Sequence, residues 1–158
     1  MAQQLWFLRH GEAEPHGVTN DDDRALTERG REQSRAAGLA LQALDVAFQY
    51  VFTSPKVRAL DTAKLACPSL GCEPLVHEPL REGFDVREAT ALLLAAGEDK
   101  RVLLVGHEPD FSQVIHDLTG ARVDLKKGGV AGLRMVNGGR GVLVALLRPR
   151  ELDRLAAG

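Results

Sequence analysis

A cationic surplus, a membrane-length apolar run and a useful number of cysteines are all missing from this chain of 158 residues. Lysine and arginine number 20 against 22 acidic residues, a net charge of −2. That balance argues against a nucleic-acid partner, which normally meets an excess of cations. The longest apolar stretches fall far short of a bilayer span, and no basic segment followed by a long apolar core opens the sequence. No membrane partner is expected, and the expected compartment is the cytoplasm. Cysteine occurs twice, at positions 67 and 72, flanking Pro68-Ser69-Leu70-Gly71. A single bridge is conceivable there, but two isolated thiols in a reducing compartment are expected to stay free. They are too few to build a metal site. No repeat, low-complexity tract or linker divides the chain, so residues 1–158 are expected to form one domain with its own core.

What is present is an alternation of strand and helix patterns. Leu5-Trp6-Phe7-Leu8 and Val102-Leu103-Leu104-Val105 read as buried strands. Tyr50-Val51-Phe52-Thr53 reads as another, with a short one over 74–76. Thr27 is the expected N-cap of a helix reaching about Leu44, with Ala36, Leu39, Ala40, Ala43 and Leu44 at helical spacing. Ser54-Pro55 is the expected start of a second helix, which stops at Pro68. A third helix is expected over 86–96, and a fourth from a cap at Asp110 to about Leu118. The runs 130–136 and 142–147, joined by Asn137-Gly138-Gly139-Arg140-Gly141, read as a hairpin. A short helix is expected over 150–155. The pattern predicts an α/β fold: a three-layer α/β/α sandwich around a mostly parallel, mixed sheet.

Two of the strands end alike. The first runs into Arg9-His10-Gly11 and the fourth into Gly106-His107. Strand carboxyl ends are where open α/β folds place their ligands. Arg58 stands near the start of the second helix, where free backbone N–H groups and the positive dipole end favour an anion. Two guanidinium forks match phosphate oxygens two at a time. An imidazole with one unprotonated nitrogen can attack phosphorus, provided an acceptor, such as a backbone carbonyl, holds its other nitrogen. His10 is the expected nucleophile, and Arg9, Arg58 and His107 the phosphate-holding groups. Glu82, in the loop after the third strand, is the carboxyl candidate for a proton donor, its alternative being an exposed loop carboxylate. His16 stands either at the pocket mouth or in solvent. His77 and His116 read as structural or surface residues, Lys126 and Lys127 as a solvated turn that could meet an acidic partner, and Asp21-Asp22-Asp23 as solvated.

Arg-His-Gly-Glu at 9–12, Ser-Pro-x-x-Arg-Ala at 54–59 and Gly-His-Glu-Pro at 106–109 resemble the histidine phosphatase superfamily, which includes the cofactor-dependent phosphoglycerate mutases. The resemblance extends over most of the chain. It implies the phosphoglycerate mutase-like fold, transient phosphorylation of His10, phosphate held by Arg9, Arg58 and His107, an acid near Glu82, and neither metal nor organic cofactor. Leu26-Thr27-Glu28-Arg29-Gly30, Gly106 to Ser112 and Leu125-Lys126-Lys127-Gly128-Gly129 are similar to the short SixA branch of phosphohistidine phosphatases. After Arg-His-Gly-Glu the chain continues Ala13-Glu14-Pro15-His16 rather than the Thr-x-Trp-Asn of the mutases, and no long insertion separates Glu82 from Val102 to act as a lid. The implied reaction is hydrolysis of phosphohistidine on a protein, either a histidine-containing phosphotransfer domain or a phosphocarrier. The alternatives are a small-molecule phosphomonoesterase or mutase of the same family, and a phospho-binding module without catalysis.

Overall fold

The computed structural model describes residues 2–158. Its strands are β1 (Gln4–Arg9), β2 (Tyr50–Thr53), β3 (Pro74–Val76), β4 (Arg101–Gly106), β5 (Val130–Val136) and β6 (Arg140–Leu147). Its helices are α1 (Glu28–Ala43), α2 (Val57–Leu70), α3 (Val86–Ala96), α4 (Asp110–Thr119) and α5 (Pro149–Ala156), with short 3-10 turns at Asp21–Asp23 and Glu78–Leu80. The sheet order is β3-β2-β4-β1-β5-β6. The first four of these are mutually parallel, while β5 runs antiparallel to β1 and β6 to β5. The sheet is therefore mixed, as the hairpin requires.

The two central strands are apolar through Leu5–Leu8 and Val102–Val105 because helices cover both faces. Leu5 and Phe7 join Val102 and Leu104 in a core closed by α3 and α4, where Phe7 and Phe111 meet edge to face at 5.0 Å between ring centroids. Trp6 and Leu8 point the other way and join Leu103 and Val105 under α1, α2 and α5. Alternation along one strand thus feeds two cores. Register matters most at the strand ends: Arg9 pairs with Gly106, and Thr53 with Val105. Residues 10, 54 and 107 consequently follow three neighbouring parallel strands at nearly one level.

Several local expectations change. The buried face of α1 is Ser34, Ala37, Ala40 and Leu41, while Leu39 and Leu44 are each 42% exposed. Small residues rather than the largest ones face the neighbouring helices there, so counting bulky residues selects the wrong face. Helix α2 begins at Val57, not at Pro55, with Lys56 as its cap residue. Pro68 does not stop it. The proline lies in the last turn, and the helix ends at Gly71, whose left-handed backbone returns its N–H to the Cys67 carbonyl. Asp110 is the first residue of α4 rather than its cap. Its carboxylate instead accepts the backbone N–H groups of Gly83 and Phe84, at 2.9 and 3.2 Å. Both cysteines are free, Cys67 buried and its thiol pushed up to about 12 by that burial. Among the described residues no helix is long and apolar enough to cross a membrane.

Candidate active site

The backbone after β1 is held on three sides. His10 N–H donates to the Gly106 carbonyl at 3.0 Å, and Gly11 N–H to the Thr62 hydroxyl of α2 at 3.1 Å. The first turn of α1 packs directly on this segment. A Cβ on Gly11 would lie 2.5 Å from the Gly30 carbonyl oxygen, and one on Gly30 would lie 2.0 Å from that of Glu12. Two glycines far apart in sequence therefore permit one close crossing, which fixes where His10 can stand.

His10 is 6% exposed, and its Nδ1 lies 2.7 Å from the Gly11 carbonyl oxygen. A carbonyl only accepts, so Nδ1 carries the proton and Nε2 keeps a lone pair. The acceptor expected from the sequence is thus the carbonyl of the next residue. Burial first, then the nearby Arg58 and Arg9, push the imidazole down to about 3, against the Gly11 bond that raises it. At neutral pH the ring is uncharged.

The His107 ring lies 5.3 Å from that of His10, centroid to centroid, and is 7% exposed. Its Nε2 lies 2.8 Å from the Ser54 hydroxyl, which also accepts the Lys56 N–H at 3.1 Å. Ser54 thus ties the His107 ring to the loop before α2, and the other ring nitrogen, Nδ1, is left for a ligand. Burial, followed by His10, Arg58 and Lys56, pushes His107 down to about 3.

Arg58, 5% exposed on the first turn of α2, donates through Nη1 to the Asp21 carbonyl at 2.7 Å and through Nη2 to its carboxylate at 3.3 Å. Arg9 donates through Nη1 to the Leu125 carbonyl at 2.9 Å. Burial lowers both guanidinium groups from their ordinary value, and both remain cations. Arg9 Nε and Arg58 Nε are buried N–H donors, and His107 Nδ1 a buried ring nitrogen, without a hydrogen-bond partner in the protein. Such groups are costly unless something accepts from them, and an anion with several oxygens does.

Arg9, His10, Arg58 and His107 thus lie together. Glu82 does not join them: it is exposed on the bend before Gly83. The His16 side chain is 83% exposed, 3.7 Å from the Asp21 carboxylate. His77 packs on Phe52, and His116 is exposed in the last turn of α4. The acidic run is not simply solvated. Asp21 joins Lys56 at 2.8 Å, Arg24 at 3.0 Å and Arg58, and the Lys56 hydrogen bond, with those neighbours, holds its carboxyl well below the usual carboxylate range. Asp22 carries the chain of charges to Arg81. Lys56 and Arg24 are nearly buried, each 7% exposed. Sequence reasoning missed Asp21, Lys56, Arg24 and Ser54. The available signal was Ser54, which stands where an apolar run ends and opens the Ser-Pro-x-x-Arg-Ala stretch at 54–59. No group of three or more His, Cys, Asp or Glu side chains among the described residues is arranged to hold a metal ion.

Residues 5–90 match the family profile of the histidine phosphatase superfamily, branch 1. The chain belongs to the histidine phosphatase superfamily. An uncharacterized protein of a Picosynechococcus strain is 35% identical over 143 residues, covering 83% of this chain and 84% of that one. The mitochondrial serine/threonine-protein phosphatase Pgam5 of Drosophila persimilis is 32% identical over 127 residues, 78% of this chain. The match spans 38% of Pgam5's length. A structure of the protein histidine phosphatase SixA complexed with tungstate superposes with a TM-score of 0.81 at 25% identity, covering 94% of this chain and 99% of SixA. The fold is that of the phosphoglycerate mutase-like proteins, and the protein is a phosphatase of this superfamily.

Proposed function

We propose that this phosphatase removes phosphate from phosphohistidine side chains of proteins through a phospho-His10 intermediate. The observation that carries the mechanism is the neutral His10 ring, its proton fixed on Nδ1 by the Gly11 carbonyl, beside Arg9, Arg58 and the unpartnered Nδ1 of His107. The Nε2 lone pair attacks phosphorus in line with the leaving nitrogen. The bond between phosphorus and the substrate imidazole breaks, and its electron pair stays on that imidazole. Arg9, Arg58 and His107 donate to the equatorial oxygens, where transition-state charge is spread. Water then attacks the phosphoryl group on His10. The P–Nε2 bond breaks with its electrons returning to His10, and the water's proton leaves with inorganic phosphate.

The substrate class follows from the demand for a proton. Asp21 is ionised by its cations, and Glu82 is exposed. A phosphohistidine ring with a proton on its far nitrogen leaves as neutral imidazole and needs no acid, whereas an alkoxide leaving group needs one. The likeness to SixA over nearly its whole length supports the same reading. So does the short path from Glu82 to β4, a single helix of 11 residues. We infer one catalytic domain without a lid, open to a side chain displayed on another protein.

The test mixes enzyme with protein labelled on phosphohistidine, quenches in denaturant and measures acid-labile, alkali-stable label on the enzyme. Label is expected on the wild type and absent from His10→Ala, and its retention in that variant overturns the mechanism. Faster turnover of sugar phosphates or phosphoglycerate than of the phosphohistidine protein overturns the substrate.

A further inference from the structure

Beside the phosphate-holding groups lies an open groove of about 540 Å³ lined by Arg9, Arg29, Lys126, Lys127, Arg148 and Arg150. No carboxylate lines it, although the whole chain carries −2. Arg9 is shared with the candidate active site, so the groove and the phosphate position are continuous. The turn bearing both lysines is fixed to the nucleophile's own backbone. Gly128 N–H is shared between the carbonyls of Arg9 and His10, at 3.0 and 2.9 Å, and Arg9 N–H donates to the Gly129 carbonyl at 3.1 Å. Gly128 sits at φ +77°, a conformation that side-chain-bearing residues rarely adopt. The lysines are therefore held in a set place relative to His10.

The charges in this groove are of a particular kind. Arg29 pairs with Asp153 at 2.9 Å, Lys126 with Asp124 at 2.8 Å, and Arg148 with Glu151 at 2.8 Å. Arg150 lies 3.8 Å from Glu151. These side chains are 42–76% exposed, so the pairs are weak and exchange partners readily. Lys127 has no ion-pair partner among the described residues. A small polyanion is held by convergent, desolvated donors, and none of these long exposed side chains is one. Exposed cations spread over three elements instead steer a large partner of opposite charge and set its orientation.

We propose that this groove receives an acidic surface on the phosphorylated protein, flanking the phosphohistidine and aligning it over His10. The inference rests on the phosphohistidine reading, but the experiment separates the two. Two phosphohistidine peptides would be compared, identical except that glutamate or glutamine flanks the phosphorylated residue. The wild type is expected to hydrolyse the glutamate peptide with a kcat/KM about 10-fold higher, expressed in KM, at low salt. That preference should shrink to about 2-fold in ~0.5 M salt. Lys126→Glu/Arg150→Glu should abolish the preference while hydrolysing p-nitrophenyl phosphate within about 2-fold of wild type. Equal loss on the peptides and the aryl phosphate, or an unchanged preference, overturns the groove's role. If neither peptide is hydrolysed while the aryl phosphate is, the phosphohistidine reading fails. The unphosphorylated glutamate peptide then decides the groove. Inhibition of aryl phosphate hydrolysis in the wild type but not in the double variant upholds it, and no inhibition overturns it. Tripolyphosphate inhibition that is lost in the double variant, with no effect of either peptide, assigns the groove to small polyanions and overturns the protein surface.

Discussion

Acidification to pH 5 should weaken the folded protein chiefly through His10 and His107. An imidazole in the unfolded chain titrates near 6.5. In the folded protein both rings are held at about 3. Between those values the unfolded chain binds protons that the folded one refuses. The associated stability is complete above about 6.5 and is lost progressively as pH falls towards 3. At pH 5 each ring costs about 2 kcal/mol relative to pH 7.5, so the pair costs about 4 kcal/mol. With a urea m-value of about 2 kcal/mol per molar, the unfolding midpoint should fall by about 2 M. At pH 5 Asp21, whose cations hold it well below the usual carboxylate range, stays ionised in the folded protein. Trp6, 5% exposed and edge-on to Phe48, is the fluorescence probe. The control is His10→Asn/His107→Gln, in which uncharged amides replace the rings. Its midpoint should move by less than about 0.5 M over the same interval. An equal shift in wild type and control would refute the reasoning, because acid sensitivity would then arise elsewhere.

Arg58→Ala should lower kcat on an aryl phosphate by about 10²-fold, as loss of a donor to a developing oxyanion does. Asp21→Asn should lower it by about 10-fold, because Arg58 and Lys56 are then held less firmly; steady-state kinetics at saturating substrate check both. Gly30→Ala drives a methyl group into the Glu12 carbonyl and should cost about 3 kcal/mol, a fall in Tm of about 6–12 °C by differential scanning calorimetry.

Strand tips were legible because a parallel strand buried on both faces is a continuous apolar run, and such a run visibly stops. Leu5 to Leu8 stops at Arg9, and Val102 to Val105 stops at Gly106. Thr27 was legible as a cap because a hydroxyl before a helical period has a local task, accepting the Gly30 N–H. Helix α3 runs over Val86–Ala96 as its spacing requires. Interactions that close across the chain were not legible. Asp21 meets residues 35 and 37 positions away, and nothing local separates it from its two neighbours. Ser54 has the residue type and the following proline of a helix cap, yet its hydroxyl, besides accepting the Lys56 N–H, meets His107, a contact set by strand register that no local signal shows. The inward face of α1 was read only at Ala40, since close helix approach selects small side chains, which a hydrophobic count undervalues. Glu82 shows the converse: a carboxyl in a suitable loop need not turn inward.

The hydrogen-bonded ladder of β2, β4 and β1 has a consequence for how activity is lost. Ser54, His107 and His10 extend three adjoining rungs of the same central framework, so no hinge lies between them. Disordering one requires prying apart the middle of the molecule. Denaturant titrations followed by turnover and by circular dichroism should therefore superimpose, leaving no range in which the protein is folded but inert.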